Sequence, residues 1–316
     1  MKPPEFVTSP FLPGEDRQIL MDKGIEQLEI WLYDVIKIGL LQYDFAEQSV
    51  FEISSRMIDA KLGGIARRLR RLGTLNRADP DWVEQVLRIL GDLYLLVSAF
   101  KNKKELSSGL ITSLYSLAGL NIKKTDLLSL APVEDHWLVC GVEFEEEENL
   151  RSRFTWIMGA KSKRTALLLD FAFGRVDFQT RYLFRHSYQG SLYYYPGSFP
   201  IRAHLQDPLV VRKIKTFPAS FENIEKYLDV YAHAISLNPW ITDFPVCIRN
   251  VTLQKSGEKF LMVDSGGQVL PVKNSPDDLW PVYAGLGLQS CSLFGIWDGK
   301  EIRILSWDDG FVHQSL

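Results

Sequence analysis

The chain has little of what marks a disulfide-stapled, metal-bound or membrane-spanning protein. Among 316 residues there are three cysteines, Cys140, Cys247 and Cys291, far apart along the chain. Thiols so few and so scattered exclude a disulfide framework and suit a reducing compartment. They form no close Cys/His pair, so the ligand spacing of a structural zinc site is missing. No apolar run reaches the roughly 18 residues that span a bilayer. The opening MKPPEFVTSPFLPGEDR lacks the apolar core of a signal peptide. The expectation is a cytoplasmic protein with no membrane contact. A basic excess is missing too: 36 Lys and Arg against 39 Asp and Glu give a net charge of -3, which advertises no nucleic-acid surface overall. His136, His186, His204, His233 and His313 stand in no His-Glu-x-x-His spacing, and Gly63-Gly64 lacks the Lys-Ser/Thr of a P-loop. With no nucleophile beside a base and orienter, the residues predict no enzyme, no cofactor and no bound metal.

What is there is globular. Apolar residues make up 46% and charged residues 24%, in a chain long enough for two domains of ordinary size. Residues 1–20, rich in Pro and polar groups, read as an extended lead-in. From Gly24 to Gly73 residues recur at helical spacing as apolar stripes: Ile25, Leu28, Leu32, Val35, Ile36 and Gly39, then Val50, Ile53, Met57 and Ile58. Gly63-Gly64 breaks the pattern, and Leu62, Ile65, Ala66, Leu69 and Leu72 resume it. Asp79-Pro80-Asp81 reads as a helix start with Asp79 as N-cap. Trp82, Val86, Leu90, Leu93, Val97 and Phe100 form one face beyond it, and Leu106, Leu110, Leu114 and Leu117 the next. Lys101 to Lys104 reads as a solvated loop where cations suit a helix C-terminus.

From about Pro132 the periodicity changes. Trp137–Val142, Phe154–Gly159, Thr165–Phe173 and Tyr182–Ile201 read as strands rich in β-branched and aromatic residues. Glu143 to Glu148 reads as a solvated hairpin loop. Phe221, Ile224, Leu228, Tyr231 and Ile235 mark an amphipathic helix stopped at Asn238-Pro239. Asp264-Ser265-Gly266-Gly267 and Asp298-Gly299 are hairpin signals. The fold class is α+β: a helical domain over residues 21–128, then a mainly antiparallel β domain with one amphipathic helix over 133–316.

The residues GIEQLEIWLYDVIKIGL and RMIDAKLGGIARRLRRL resemble bacterial SWIM zinc finger family proteins in the region after the finger. Those proteins have a Leu-Trp-Leu helix, Arg-Met-Val-Asp-Ala, a Pro-Gly break and a Leu-Ala-x-x-Leu-Arg-Arg-Leu helix. Leu62-Gly63-Gly64 stands where the family tends to have Ala-Pro-Gly, and both break a helix. The resemblance continues through HWLVCGVEFEEEENLRSRFTWIMG, TALLLDFAF and LYYYPGSFPIRA to the Phe-Gly-x-Trp-Asp-Gly near the end. The family's Cys-x-Cys and Cys-x-His finger ligands lie upstream of this region and are absent here. The chain is then either a piece of a longer protein or a finger-less relative.

The charged feature that stands out is Arg67, Arg68, Arg70 and Arg71, flanking the Leu62–Leu72 stripe. Guanidinium groups there suit acidic protein groups or phosphates; as stems they also cover apolar surface. A weaker candidate is a polar pocket at Tyr194, Arg202 and His204, beside the turns that Pro196-Gly197 and Pro200 set. The family resemblance implies company with MoxR-type AAA ATPases and with proteins carrying von Willebrand factor type A (VWA) domains. That makes an adaptor or scaffold the first expectation. Nucleic-acid association, implied by the family's presumed DNA-binding role, is the second. A hydrolase is the third, and no catalytic constellation supports it.

Overall fold

A computed structural model describes residues 11–147, 149–213, 221–287, 289–307 and 310–311. The chain divides into two compact units. One runs to Lys124 and includes Pro196–Ser198; the other holds Thr125–Tyr195 and the chain from Phe199 onward. Residues 1–10 of the expected lead-in, and Glu148 and His313, lie outside the described residues.

The helical unit is built from α1 (Glu15–Ile38), α2 (Glu47–Asp59), α3 (Gly63–Gly73), α4 (Trp82–Lys101) and α5 (Ser108–Ala118). The first helix begins at Glu15, inside the stretch expected to be an extended lead-in. Each helix turns an apolar stripe inward: Leu28, Leu32 and Val35 from α1, Ile53 and Met57 from α2, Ile65, Leu69 and Leu72 from α3, and Leu93, Val97 and Phe100 from α4 are all buried. Ile36 and Ile58 are not part of these stripes. Ile36 is 66% exposed and Ile58 43% exposed. The α4 N-cap is Asp81, not Asp79. Asp79 instead braces the preceding turn, its carboxylate accepting from the Asp81 N–H at 2.9 Å and from Gln85 Nε2 at 3.1 Å. Leu106 precedes α5, whose N-cap Ser107 accepts from the Leu110 N–H. Two of the three lysines expected to be merely solvated are paired back to α1: Lys101 to Glu29 at 2.8 Å and Lys103 to Asp22 at 2.7 Å.

The close approach of α3 to α5 rests on glycine. A Cβ on Gly64 would lie 2.0 Å from the Leu117 carbonyl oxygen, far inside contact distance. Gly63-Gly64 therefore does more than interrupt a helix: it opens α3 at the point where α5 ends.

After the short α6 (Lys124–Leu128), the β unit starts with five strands: β1 (Val133–Glu147), β2 (Leu150–Gly159), β3 (Thr165–Phe173), β4 (His186–Tyr194) and β5 (Arg202–Lys213). They close into a barrel of order β1-β2-β3-β5-β4, with β3 and β5 parallel and the other pairs antiparallel. This is the strand order of an OB-type Greek-key barrel. Its interior holds Trp137, Val139, Ile157, Leu168, Tyr188, Leu192 and Leu205. Two expectations change here. Glu143 to Glu147 belong to β1 rather than to a loop, because the long β1–β2 hairpin pairs them with Leu150 to Phe154. Residues 182–185 and 195–201 are not strand; the chain before His186 crosses the barrel mouth instead.

A six-stranded sheet of order β11-β10-β9-β6-β7-β8 follows, made of β6 (Phe244–Ser256), β7 (Lys259–Val263), β8 (Val269–Pro271), β9 (Cys291–Trp297), β10 (Ile302–Trp307) and β11 (Gly310–Phe311). Both hairpins signalled by Asp264 to Gly267 and by Asp298-Gly299 form, as β7–β8 and β9–β10. One face of this sheet packs Cys247, Phe294, Ile296 and Leu305 against Leu138, Cys140, Trp156 and Met158 on the outside of the barrel. Its other face is covered by α7 (Ile224–Leu237) and α8 (Pro276–Leu286), through Ile224, Tyr227, Leu279 and Val282. The second of these helices adds to the single one expected. Its start carries the ordinary signals, an N-cap Ser275, Pro276 in the first turn, then Asp277 and Asp278. Phe221, expected on the α7 stripe, instead bridges to Ile248 ahead of the helix.

Candidate interaction surfaces

Helix α3 sorts its four arginines. Ile65, Ala66, Leu69 and Leu72 face the core, so Arg67, Arg70 and Arg71 fall on the exposed side. Spacings of three and four residues put these three on one ridge. Among the described residues none of their guanidinium groups makes an ion pair or hydrogen bond. Arg68 turns the other way. Its Nη1 donates to the Leu117 carbonyl at 3.2 Å and reaches the Gly64 carbonyl at 3.4 Å. Leu117 is in the last turn of α5, where carbonyls lack helical partners, so Arg68 caps that end. Burial lowers its pKa, and Asp92 opposes the shift. The surroundings of the ridge are basic as well: residues 54–78 hold seven Lys and Arg and one acid, Asp59, so the local field is positive although the chain is net negative.

The second expected site does not assemble. Tyr194 packs against the barrel core, with Arg164 stacked on its ring at 4.0 Å and its hydroxyl donating to the Thr165 carbonyl at 3.1 Å. Burial pushes its pKa up to about 12. Ala203, which lies inside the barrel, is its partner in the β4–β5 register. Arg202 and His204 flank Ala203 and so point to the opposite face; Arg202 stacks on Tyr195 at 4.5 Å.

A cleft that sequence reasoning missed lies at the barrel mouth. It has a volume of about 670 Å³ and is lined by Val142, Phe144, Glu145 and Glu146 of β1, Arg151 and Arg153 of β2, and the segment from Asp177 to Tyr182. Arg153 is 5% exposed. It lies between Phe178 at 4.5 Å and Tyr182 at 5.1 Å, and pairs with Asp170 at 2.7 Å. Ring faces and a carboxylate together compensate a buried guanidinium. Arg151 also stacks on Phe178, at 5.6 Å, and donates to the Val176 carbonyl at 2.6 Å. Tyr188, in the barrel core, anchors the crossing segment: its hydroxyl accepts from the Leu183 N–H at 2.7 Å and donates to the Arg181 carbonyl at 3.2 Å. The Arg-Ser-Arg spacing on β2 was visible as two side chains on one strand face. Their aromatic partners were not, because Phe178 and Tyr182 come from a connection with no period of its own.

Residues 16–118 match a family described as the SWIM-associated four-helix bundle domain. The matched stretch runs through α1 to α5 and holds the arginine ridge. This part of the chain is similar to that family. The match covers about a third of the chain, agrees with the resemblance seen in the sequence, and leaves the β unit outside. No curated protein matches the chain. Among the described residues no group of three His, Cys, Asp or Glu side chains is placed to hold a metal ion, and no helix is long and apolar enough to cross a membrane. All three cysteines are buried. Burial raises the Cys140 thiol pKa well above its ordinary value, which opposes thiolate chemistry there.

Proposed function

We propose that the protein is a non-enzymatic adaptor whose SWIM-associated bundle meets an acidic surface of a protein partner through Arg67, Arg70 and Arg71. The supporting observation is the ridge itself: three exposed guanidinium groups that make no ion pair among the described residues, on a helix fixed by its other face. Such groups pair bidentately with carboxylates. The partners that the family resemblance suggests are a MoxR-type AAA ATPase or a VWA-domain protein. Nucleic-acid association is the second reading, since phosphates suit the same ridge. The barrel offers it less: the strand 2–3 face that OB-type barrels use for oligonucleotides here carries Trp156, Met158 and Leu167 against the chain's own sheet.

The test is the double substitution Arg67→Glu, Arg71→Glu in the full chain, with folding followed by circular dichroism. Pull-down of a candidate ATPase or VWA-domain protein is expected to fail with the variant and succeed with the parent. Salt-sensitive DNA binding by the parent, abolished in the variant, would shift the assignment to the second reading. If folding holds and neither interaction changes, the ridge is only a solvated face and the proposal is wrong.

A further inference from the structure

A second surface, on the β unit, goes beyond that reading. Strand β1 pairs with β4 only from Val133 to Leu138, whereas its pairing with β2 continues to Glu147. Beyond Val139, whose carbonyl accepts from the Arg185 N–H, that edge of β1 has no strand beside it among the described residues. The register tells which backbone groups face it. Leu167 donates its N–H to Ile201, away from β2. Its partner Trp156 therefore turns its own groups toward β1, where it meets Gly141. Alternation along an antiparallel ladder then aims Gly141, Glu143 and Glu145 at β2, and Val142, Phe144 and Glu146 at the open edge. Those three residues line the barrel-mouth cleft, and Asp177 to Tyr182 form its other wall. A groove with an open strand edge along one wall is shaped for another strand.

Charge selects the occupant. Arg151 and Arg153 are engaged by Val176, Asp170 and the ring faces. With Arg153 neutralised by Asp170, the charges left in the cleft are Glu145, Glu146 and Asp177 against Arg181 and the half-buried Arg151, three acids against two bases. Two copies of this chain laid edge to edge would set Glu145 and Glu146 against their like, which disfavours a second copy. A polyanion laid along the same edge would meet Glu145 and Glu146 as well. We propose that the cleft takes an extended peptide by strand addition to β1. Its basic side chains lie on the Glu145 face, and its apolar ones rest on Phe144 and Phe178 on the other. Phe144 is 49% exposed and packs tilted near Phe178, with ring centroids 6.0 Å apart, so an apolar surface is ready there.

The probe is a fluorescein-labelled peptide alternating Lys and Val over seven residues, titrated into the full chain by anisotropy, with amide hydrogen exchange as the site readout. Binding is expected, with slowed exchange at Val142, Phe144 and Glu146. The pair Glu145→Lys, Glu146→Lys is expected to weaken binding at least tenfold, and since both side chains are exposed, circular dichroism should be unchanged. A peptide of the same charge with its central Val replaced by Pro is expected to bind at least tenfold more weakly, because it cannot complete the ladder. Equal binding of the Pro peptide would mean charge attraction without strand addition and would overturn the proposal. So would no binding, tighter binding of the Glu-Val counterpart, or protection by single-stranded DNA at the same amides. Should the Glu→Lys variant misfold, the Pro peptide still decides.

Discussion

Arg68 and its three neighbours on α3 carry the same charge, and what separates them is whether a carbonyl lies within reach. Arg68 reaches Leu117 O at the end of α5; Arg67, Arg70 and Arg71 stay in solvent. A carbonyl stripped of its partner in a half-buried setting costs about 1–3 kcal/mol. Arg68→Ala is therefore expected to lower unfolding stability by about that much, and Arg70→Ala to stay within ~0.5 kcal/mol of the parent. Urea unfolding of both variants checks this; equal effects would defeat the capping account. The quartet was plain in the sequence, and its division was not. Arg68 meets a residue 49 positions away, and no local pattern marks which of two adjacent arginines will find it. The same holds for Tyr194, whose separation from Arg202 and His204 follows from a cross-strand register that no single strand reveals.

Among the elements, those with a strong period of their own were legible. The α1 to α4 stripes and the hairpins at Asp264 and Asp298 follow from local spacing and turn chemistry. The misread pieces depend on distant partners. Glu143 to Glu147 look like a loop until β2 pairs with them, and one of them is far from solvated. Glu143 accepts from Arg303 Nε at 2.6 Å and from Trp156 Nε1 at 3.2 Å, linking the barrel to β10. The glycine pair that opens α3 reads in the sequence as a break, but its cause is a neighbour: α5 passes so close that a methyl on Gly64 would overlap Leu117 O. Either α3 or α5 must then shift, and overpacking of this kind costs typically ~1–3 kcal/mol. Gly64→Ala is expected to lower the unfolding midpoint, although alanine favours a helix over glycine by roughly 1 kcal/mol. Gly63→Ala, with nothing within 4 Å of the added carbon, is expected to be neutral or stabilising. Thermal unfolding of the two variants separates contact from propensity; if both are stabilised, the close approach is not rigid.

For the molecule as a whole, chain order and structural membership differ in one place. The sequence changes period near Pro132, and the units divide at Lys124, but Pro196–Ser198 belong to the helical unit. Within that unit the Ser198 N–H donates to Ser113 Oγ at 3.0 Å, both residues being buried. A Cβ on Gly109 would lie 3.1 Å from the Ser198 Cα. The bundle is thus completed by a segment that arrives 78 residues after the end of its last helix, Ala118 to Pro196. A protease site placed between Lys123 and Lys124, both exposed, cuts the connection without touching that segment. The nicked fragments are expected to elute together from a sizing column in native buffer and to part only in denaturant. The isolated fragment ending at Lys123 is expected to be helical but to unfold at lower urea than the bundle in the nicked protein, because Ser113 and its surroundings lose their cover. Replacing Ser113 with Ala in the intact chain should move the bundle in the same direction by a smaller amount. Fragments that separate freely in native buffer, with the bundle as stable as before, would show that Pro196–Ser198 contribute nothing to it.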